Sequence, residues 1–221
     1  MPAVKPSIAA TVQKLERCYG SPRQGRGEPL LDVLIRTILS QNTTDANSLK
    51  AYANLKQRFP SWGLLAAAVQ TAVTLAIKAG GLAGIKSERI ISLVRHLQKS
   101  RGRASLEFLR RMPAEKAYRQ LLSIKGVGPK TAACTLLFGA GIPIFPVDTH
   151  IYRVSGRLGW ARPREDREKF QERIRHLVPD QLVYPLHLNL IEHGRRICRP
   201  RRPQCGKCCL GKICLNRRIE K

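Results

Sequence analysis

One stretch constrains this chain more than any other: Leu121-Leu122-Ser123-Ile124-Lys125-Gly126-Val127-Gly128-Pro129-Lys130-Thr131-Ala132. Its glycines, proline and lysine stand between two apolar helical patterns, so it predicts helix, tight hairpin, helix. Gly126 and Gly128 are expected to supply positive backbone angles and close approach. Pro129 is expected at the first helical position, where its missing N–H costs nothing. Lys130 then falls in the first turn of the second helix. Free backbone N–H groups at a helix N-terminus attract anions, so the hairpin reads as a phosphate site beside a reactive amine.

The rest of the chain is helical by the same reading, and the fold class expected is all-α. A first helix over 8–20 carries Val12, Leu15 and Cys18 on one stripe, which makes Cys18 a core residue. Residues 21–29, rich in Gly, Pro and Arg, form a connector at which a domain crossover is placed. A largely apolar helix follows, from Leu30 to Leu39, suited to the centre of a bundle. It gives way to Ser40-Gln41-Asn42-Thr43-Thr44-Asp45, where Thr44 or Asp45 caps the next helix or the patch lines the mouth of a cleft. Further helical patterns occupy about 46–58, 64–79, 87–99, 105–110, 114–122, 129–139, 164–177 and 181–193. Ser87 is expected as a cap and Gly194 as a stop. Asp148, before Ile151-Tyr152-Arg153-Val154, stands where an N-cap belongs.

Charge decides the broad class. The 40 Lys+Arg against 15 Asp+Glu leave 40 − 15 = +25, with a pI near 10.7, in a chain that is 43% hydrophobic. That is too apolar for a disordered basic tail and too basic for an ordinary metabolic enzyme, which points to a folded nucleic-acid-binding protein. No 18-residue apolar run and no apolar leader at Met1-Pro2-Ala3-Val4-Lys5-Pro6 occur, so an intracellular, DNA-associated location without membrane is expected.

Five of the seven cysteines crowd into the last 24 residues, and Cys198, Cys205, Cys208 and Cys214 follow C-x6-C-x2-C-x5-C with Cys209 extra. In a reducing compartment this pattern indicates metal ligation. Four thiolates satisfy either zinc or an iron–sulfur cube, and the spacing leaves the choice open. With every position filled by thiolate, the metal reads as structural. Arg199, Arg201 and Arg202 lie between the first two ligands and would offer guanidinium groups to phosphates.

Taken together, these residues resemble the helix-hairpin-helix, Gly/Pro-Asp superfamily of DNA glycosylases, and most closely the endonuclease III family. The resemblance rests on Ile38 to Asp45, Gly81-Leu82, the hairpin with Lys130, Val147-Asp148-Thr149-His150 and the cysteine tail. It implies two lobes with double-stranded DNA held between them: a helical bundle over 27–138, its helix-hairpin-helix over about 114–139, and a cluster domain of 1–26 plus 139–221. By analogy Lys130 is the nucleophile, Asp148 its acidic partner, and the four cysteines ligate a [4Fe–4S] cluster. Lys125, Gly126, Val127 and Gly128 would hold a phosphate, Asn42 and Leu82 would fill the space left by a flipped base, and Gln41 would be a further DNA contact. The implied protein is a monomer acting on damaged bases and abasic sites, by glycosylase and lyase steps, with oxidised pyrimidines as the family's usual substrates.

The sequence departs from the family at Lys125, Pro129 and the Ser-Gln-Asn-Thr patch, so base choice stays open among uracil, mismatched thymine and 5-methylcytosine as well. Adenine-mismatch glycosylases share the fold, yet need a carboxylate where this chain has Thr37 and lack the hairpin lysine. The plant 5-methylcytosine glycosylases have a similar hairpin and a segment like Phe145-Pro146-Val147-Asp148. A non-catalytic DNA-binding module is the reading from another class, and it requires neither Lys130 nor Asp148.

Overall fold

The structure is a computed structural model and describes residues 5–217. Among these residues it is helical, without strands, and the chain divides into two compact units, residues 26–142 and residues 1–25 with 143–221.

Helix α1 (Ile8–Tyr19) starts the discontinuous unit, with Ser7 accepting the Ala10 N–H through its side chain. It buries Thr11, Val12 and Leu15, whereas Cys18, in its last turn, is exposed. The buried stripe therefore stops one turn short of the one inferred from spacing, and Gly20 follows as the C-cap at φ 86°.

The continuous unit is assembled around α2 (Leu30–Leu39), whose seven aliphatic side chains are all buried. Burying each contributes about 1.5–3 kcal/mol. Pro29 offers α2 no side-chain cap, and the Leu30 N–H is met instead by Glu107 at 2.8 Å. Asp32, on the more open face of α2, accepts from Tyr52 at 2.5 Å and Trp62 at 3.1 Å. These bonds tie α2 to α3 (Asp45–Arg58) and α4 (Trp62–Ala67). Thr44, not Asp45, caps α3.

The helix expected over 64–79 is broken: α4 stops at an extended Ala68, α5 (Gln70–Ala76) follows, and a short tight turn of helix ends at Gly80. Helix α6 (Ala83–Arg101) begins four residues earlier than Ser87, which is buried inside it and bonded to Gly84 and Thr74. Helix α7 (Ala114–Leu122) leads into the hairpin, and α8 (Pro129–Cys134) continues as a wide turn of π-helix over 135–140.

In the discontinuous unit, α9 (Thr149–Arg157), α10 (Arg167–Ile174) and α11 (Asp180–Arg196) complete the packing, with α11 lying against both α1 and α9. Gly194 does not stop α11. It is buried within the helix, where a Cβ would come 2.9 Å from that of His150, so the glycine serves close helix packing.

Candidate active site and cysteine arc

Lys130 stands half-buried in the first turn of α8, directly after Pro129 at the first helical position. The hairpin before it uses only one of its glycines in the expected way. Gly126 has φ 85°, whereas Gly128 is extended at φ −90° and ψ 177°. A single left-handed residue suffices because Val127 N–H closes the turn on Ile124 O at 3.0 Å. Gly128 then acts as the residue before the helix, its carbonyl accepting from Ala132 at 3.0 Å. Val127 faces inward and is buried, while Lys125 is exposed. A Cβ at Gly126 would meet Cδ of Arg89 at 2.8 Å, so the Arg89 stem covers the hairpin from α6. A cavity of about 740 Å³ has walls that include Lys125 and Arg89 but neither Lys130 nor Gln41.

Gln41 reaches the residue next to the lysine: its Nε2 donates to Thr131 Oγ1 at 3.2 Å. Asn42 and Leu82, both exposed, hold left-handed backbone angles of φ 52° and 49°. Such angles cost non-glycine residues about 1–2 kcal/mol and persist where the surroundings enforce them. Lys86 joins the segments that lead into these two residues. It is only 2% exposed, and its ammonium donates to Leu39 O and Gly80 O, both at 2.7 Å. One buried cation thus pins the end of α2, just before Gln41 and Asn42, to the turn just before Leu82. Burial pushes the Lys86 pKa down. Position 81 sits 4.0 Å from Asn42 O, measured from where its Cβ would be, so the two loops are neighbours.

Asp148, in the other unit, is the N-cap that its position predicts: Oδ1 accepts the Ile151 N–H at 2.7 Å. The carboxylate is half-buried. Its preceding segment is held by Gln171, which accepts the Val147 N–H at 3.0 Å, and by His187 at Pro146 O, 3.1 Å.

Cys198, Cys205, Cys208 and Cys214 line one cavity with Arg157 and Gly211. A Cβ on Gly211 would lie 3.1 Å from Cys208 O, filling the cradle. Burial, together with the neighbouring thiols, raises the Cys208 pKa to about 11 and that of Cys214 in the same direction. Four such sulfurs facing one space repel as thiolates unless a cationic centre offsets them, and that donor chemistry fits a metal cluster. Among the described residues no three His, Cys, Asp or Glu side chains are arranged to hold a single metal ion.

Helix α9 clamps the arc. Arg157 Nη1 donates to Cys198 Sγ at 3.1 Å and to Arg199 O at 2.8 Å, and its Nη2 donates to Pro200 O at 3.1 Å. Arg153 donates to Cys198 O at 2.9 Å and Gly194 O at 2.8 Å. Behind the arc, buried His193 lies 3.5 Å from Cys208 Sγ through Nε2 and 2.9 Å from the Tyr19 hydroxyl through Nδ1. Burial lowers its pKa to about 4, so the ring is neutral near pH 7. Arg199, Arg201 and Arg202 are exposed on the outside of the arc. Lys86, Arg153, Arg157 and His193 went unrecognised in the sequence; the i, i+4 arginines on a helix just after Asp148 were the available signal.

A lysine-bearing hairpin, a capping aspartate and a four-cysteine arc on an all-helical frame define a class: the chain belongs to the HhH-GPD superfamily of base excision DNA repair proteins, whose family model matches residues 35–180. Within that class its relatives include proteins of the endonuclease III family. Endonuclease III of Thermotoga maritima is 36% identical over 193 residues, spanning 87% of this chain and 86% of that one. An Arabidopsis thaliana protein bearing a DNA glycosylase name is 41% identical over 171 residues, 77% of this chain and 58% of that longer one. The fold is similar to that of a trapped endonuclease III–DNA covalent intermediate, with a TM-score of 0.79, 24% identity and coverage of 95% and 94%.

Proposed function

We propose that this protein is a monomeric base excision repair DNA glycosylase with AP lyase activity, acting on duplex DNA that contains damaged bases, oxidised pyrimidines foremost, or abasic sites. The observation that carries the reading is the placement of Lys130: half-buried, at the head of α8 behind the hairpin, and next to the Thr131 that Gln41 grips. A DNA-binding module needs no amine there.

A base must leave the stack before its sugar can be reached. Asn42 and Leu82 enter the gap, and the strain stored in their backbones keeps both side chains presented. Gln41 lies between this wedge and the lysine. Lys125 with the amides of Gly126 and Gly128 holds a phosphate, the Val127 N–H being already engaged within the turn. The Lys130 amine attacks the anomeric carbon as the base departs, forming a Schiff base that permits loss of the 3′ phosphate by β-elimination. Asp148 keeps one oxygen on its helix and supplies negative charge to the positive character developing on the sugar. The exposed arginines Arg199, Arg201 and Arg202 bind further along the backbone.

The four cysteines would hold a [4Fe–4S] cluster, which contributes rigid pinning of the arginine-bearing arc. Arg157 and Arg153 orient that arc.

Mixing the protein with abasic-site DNA and borohydride tests the reading: a covalent adduct is expected, and Lys130→Ala abolishes it. No adduct with any abasic substrate would return the protein to the binding-module reading. A panel of oligonucleotides carrying single lesions identifies the base. A brown preparation with a broad visible band supports iron–sulfur, and a colourless one containing zinc overturns it.

A further inference from the structure

Arg89 has no part in the chemistry above, yet it lies against the hairpin. A Cβ on Gly126 would come within 2.8 Å of its Cδ, 2.9 Å of its Nε and 3.3 Å of its Cζ. The open side of that glycine is therefore taken by the guanidinium end of an α6 side chain, so position 126 needs glycine for room as well as for its φ of 85°. Arg89 is half-buried and Lys125 beside it exposed, and both border the cavity of about 740 Å³, whose walls carry one carboxylate, Glu88. Glu88 does not neutralise the guanidinium. Among the described residues Arg89 has no hydrogen bond and no ion pair, whereas Arg110 and Arg119 of the same unit are paired with Glu107 and Glu115. A half-buried guanidinium without an acceptor costs free energy that a bound anion recovers. The side of α6 on which it lies is also defined. Leu82, Ile85 and Arg89 are spaced by three and four, which sets them on one face, and Leu82 and Ile85 are 53% and 50% exposed. The face that presents the wedge residue thus ends in Arg89.

We propose that Arg89 is a phosphate ligand of the lesion-bearing strand, closing from α6 the grip that the hairpin opens; this rests on the proposed function and adds a residue to its site. Lys125 and the Gly126 and Gly128 amides, which are open among the described residues, approach the phosphate from the hairpin. Arg89 meets it from the opposite element and offers a planar fork of two parallel donors, a geometry an ammonium cannot reproduce. The hairpin and the wedge are thereby coupled. Leu82 and Arg89 are seven residues apart at the head of one continuous helix, a rise of about 10 Å, so the held phosphate and the gap filled by Leu82 stand at a fixed separation. Arg89 therefore sets how far the strand can slide past the wedge, a positioning role distinct from the attack by Lys130.

Fluorescence anisotropy with a duplex carrying a tetrahydrofuran abasic analogue, which has no aldehyde for Lys130 to trap, tests this across a salt series. Arg89→Met keeps the stem that covers Gly126 and removes the charge. Its affinity at low salt is expected to fall about ten- to a hundredfold, and the slope of log affinity against log salt to shrink by about 0.9. Arg89→Lys should restore the slope while still binding more weakly than wild type. Lys99→Met controls for loss of charge alone: it is exposed and ten residues farther along α6, about 15 Å, beyond a Debye length of about 8 Å at physiological salt. A slope left unchanged by Arg89→Met, one lowered as much by Lys99→Met, or one that Arg89→Lys does not restore overturns the proposal. Thermal melting verifies that each variant is folded, and Arg89→Gln replaces Arg89→Met should the latter not fold. Borohydride trapping on true abasic DNA reads the proposed function separately. An adduct with the wild-type protein beside an unchanged slope in Arg89→Met removes Arg89 from the site and leaves the enzyme reading standing.

Discussion

Replacing Lys86 with methionine tests whether a buried cation organises the wedge. Methionine keeps most of the stem's volume and removes the ammonium, leaving Leu39 O and Gly80 O, each now bonded at 2.7 Å, without that donor. A stranded buried acceptor costs about 1–3 kcal/mol, so two cost about 2–6. Against this, methionine avoids burying an ammonium at a site 2% exposed, a penalty of several kcal/mol that the hydrogen bonds only partly offset in wild type. The expected net loss is about 2–4 kcal/mol. At about 2–4 °C per kcal/mol for a chain of this size, the melting temperature falls by about 4–16 °C. Activity should fall further than stability explains, because Gln41, Asn42 and Leu82 flank the two carbonyls the lysine joins. A displacement of about 1 Å near a reacting centre costs on the order of 100-fold. Thermal melting followed by circular dichroism gives the first number, and single-turnover base release, measured where both proteins are folded, gives the second. A Lys86→Met protein that melts within about 1 °C of wild type and releases base at the normal rate would refute the argument outright. A lowered melting temperature with a normal rate would refute the positioning half of it.

Asp148→Asn retains a capping side chain, so stability is expected to change by less than about 1 kcal/mol, while borohydride trapping slows by about 100-fold or more; unchanged trapping would reduce Asp148 to a cap. Gly126→Ala places a side chain at φ 85° and drives its Cβ to 2.8 Å from Arg89 Cδ, costing about 1–2 kcal/mol and weakening abasic-DNA binding in a titration. Glu165 accepts from Arg173 at 2.8 and 2.7 Å and from the Arg162 N–H at 2.8 Å, which hold its pKa at about 2 against an ordinary 4.5. A depressed carboxylate stabilises fully above its unfolded pKa, so this contribution, about 3 kcal/mol, is present above pH 4.5 and lost as pH falls towards 2. Glu165→Gln should flatten denaturant midpoints over that window, and an unaltered pH profile would count against the ion pair.

What the sequence made legible was the part governed by local rules. Pro129 at the head of α8, Thr44 and Asp148 as caps, and the apolar α2 all follow from short-range sterics and periodicity. Positions ruled by tertiary contact were misread or missed. Gly194 looks like a stop signal but is a packing glycine, since only the nearness of His150 reveals its use. Ser87 looks like a cap because nothing local shows that α6 can begin at a left-handed Leu82 held from behind. A lysine four residues beyond that leucine carries no mark of burial, and its two carbonyl partners lie 6 and 47 positions away. Spacing alone sets Cys18 on the stripe of Val12 and Leu15, and only the packing of α1 on α11 tells which turns of that stripe are covered.

The split layout of the unit that holds Asp148 and the cysteines has a consequence for synthesis. Helix α1 leaves the ribosome ahead of the other helices described, but the helix it packs on, α11, ends at Arg196. At about 5–20 residues per second, the Val12 and Leu15 face waits roughly 9–35 s for its partner. Residues 26–142, a compact unit by themselves, have all been synthesised well before then, while that face still lacks its partner. The newborn chain therefore passes through a stage in which every residue of its lysine-bearing unit has been made and none of its arc has.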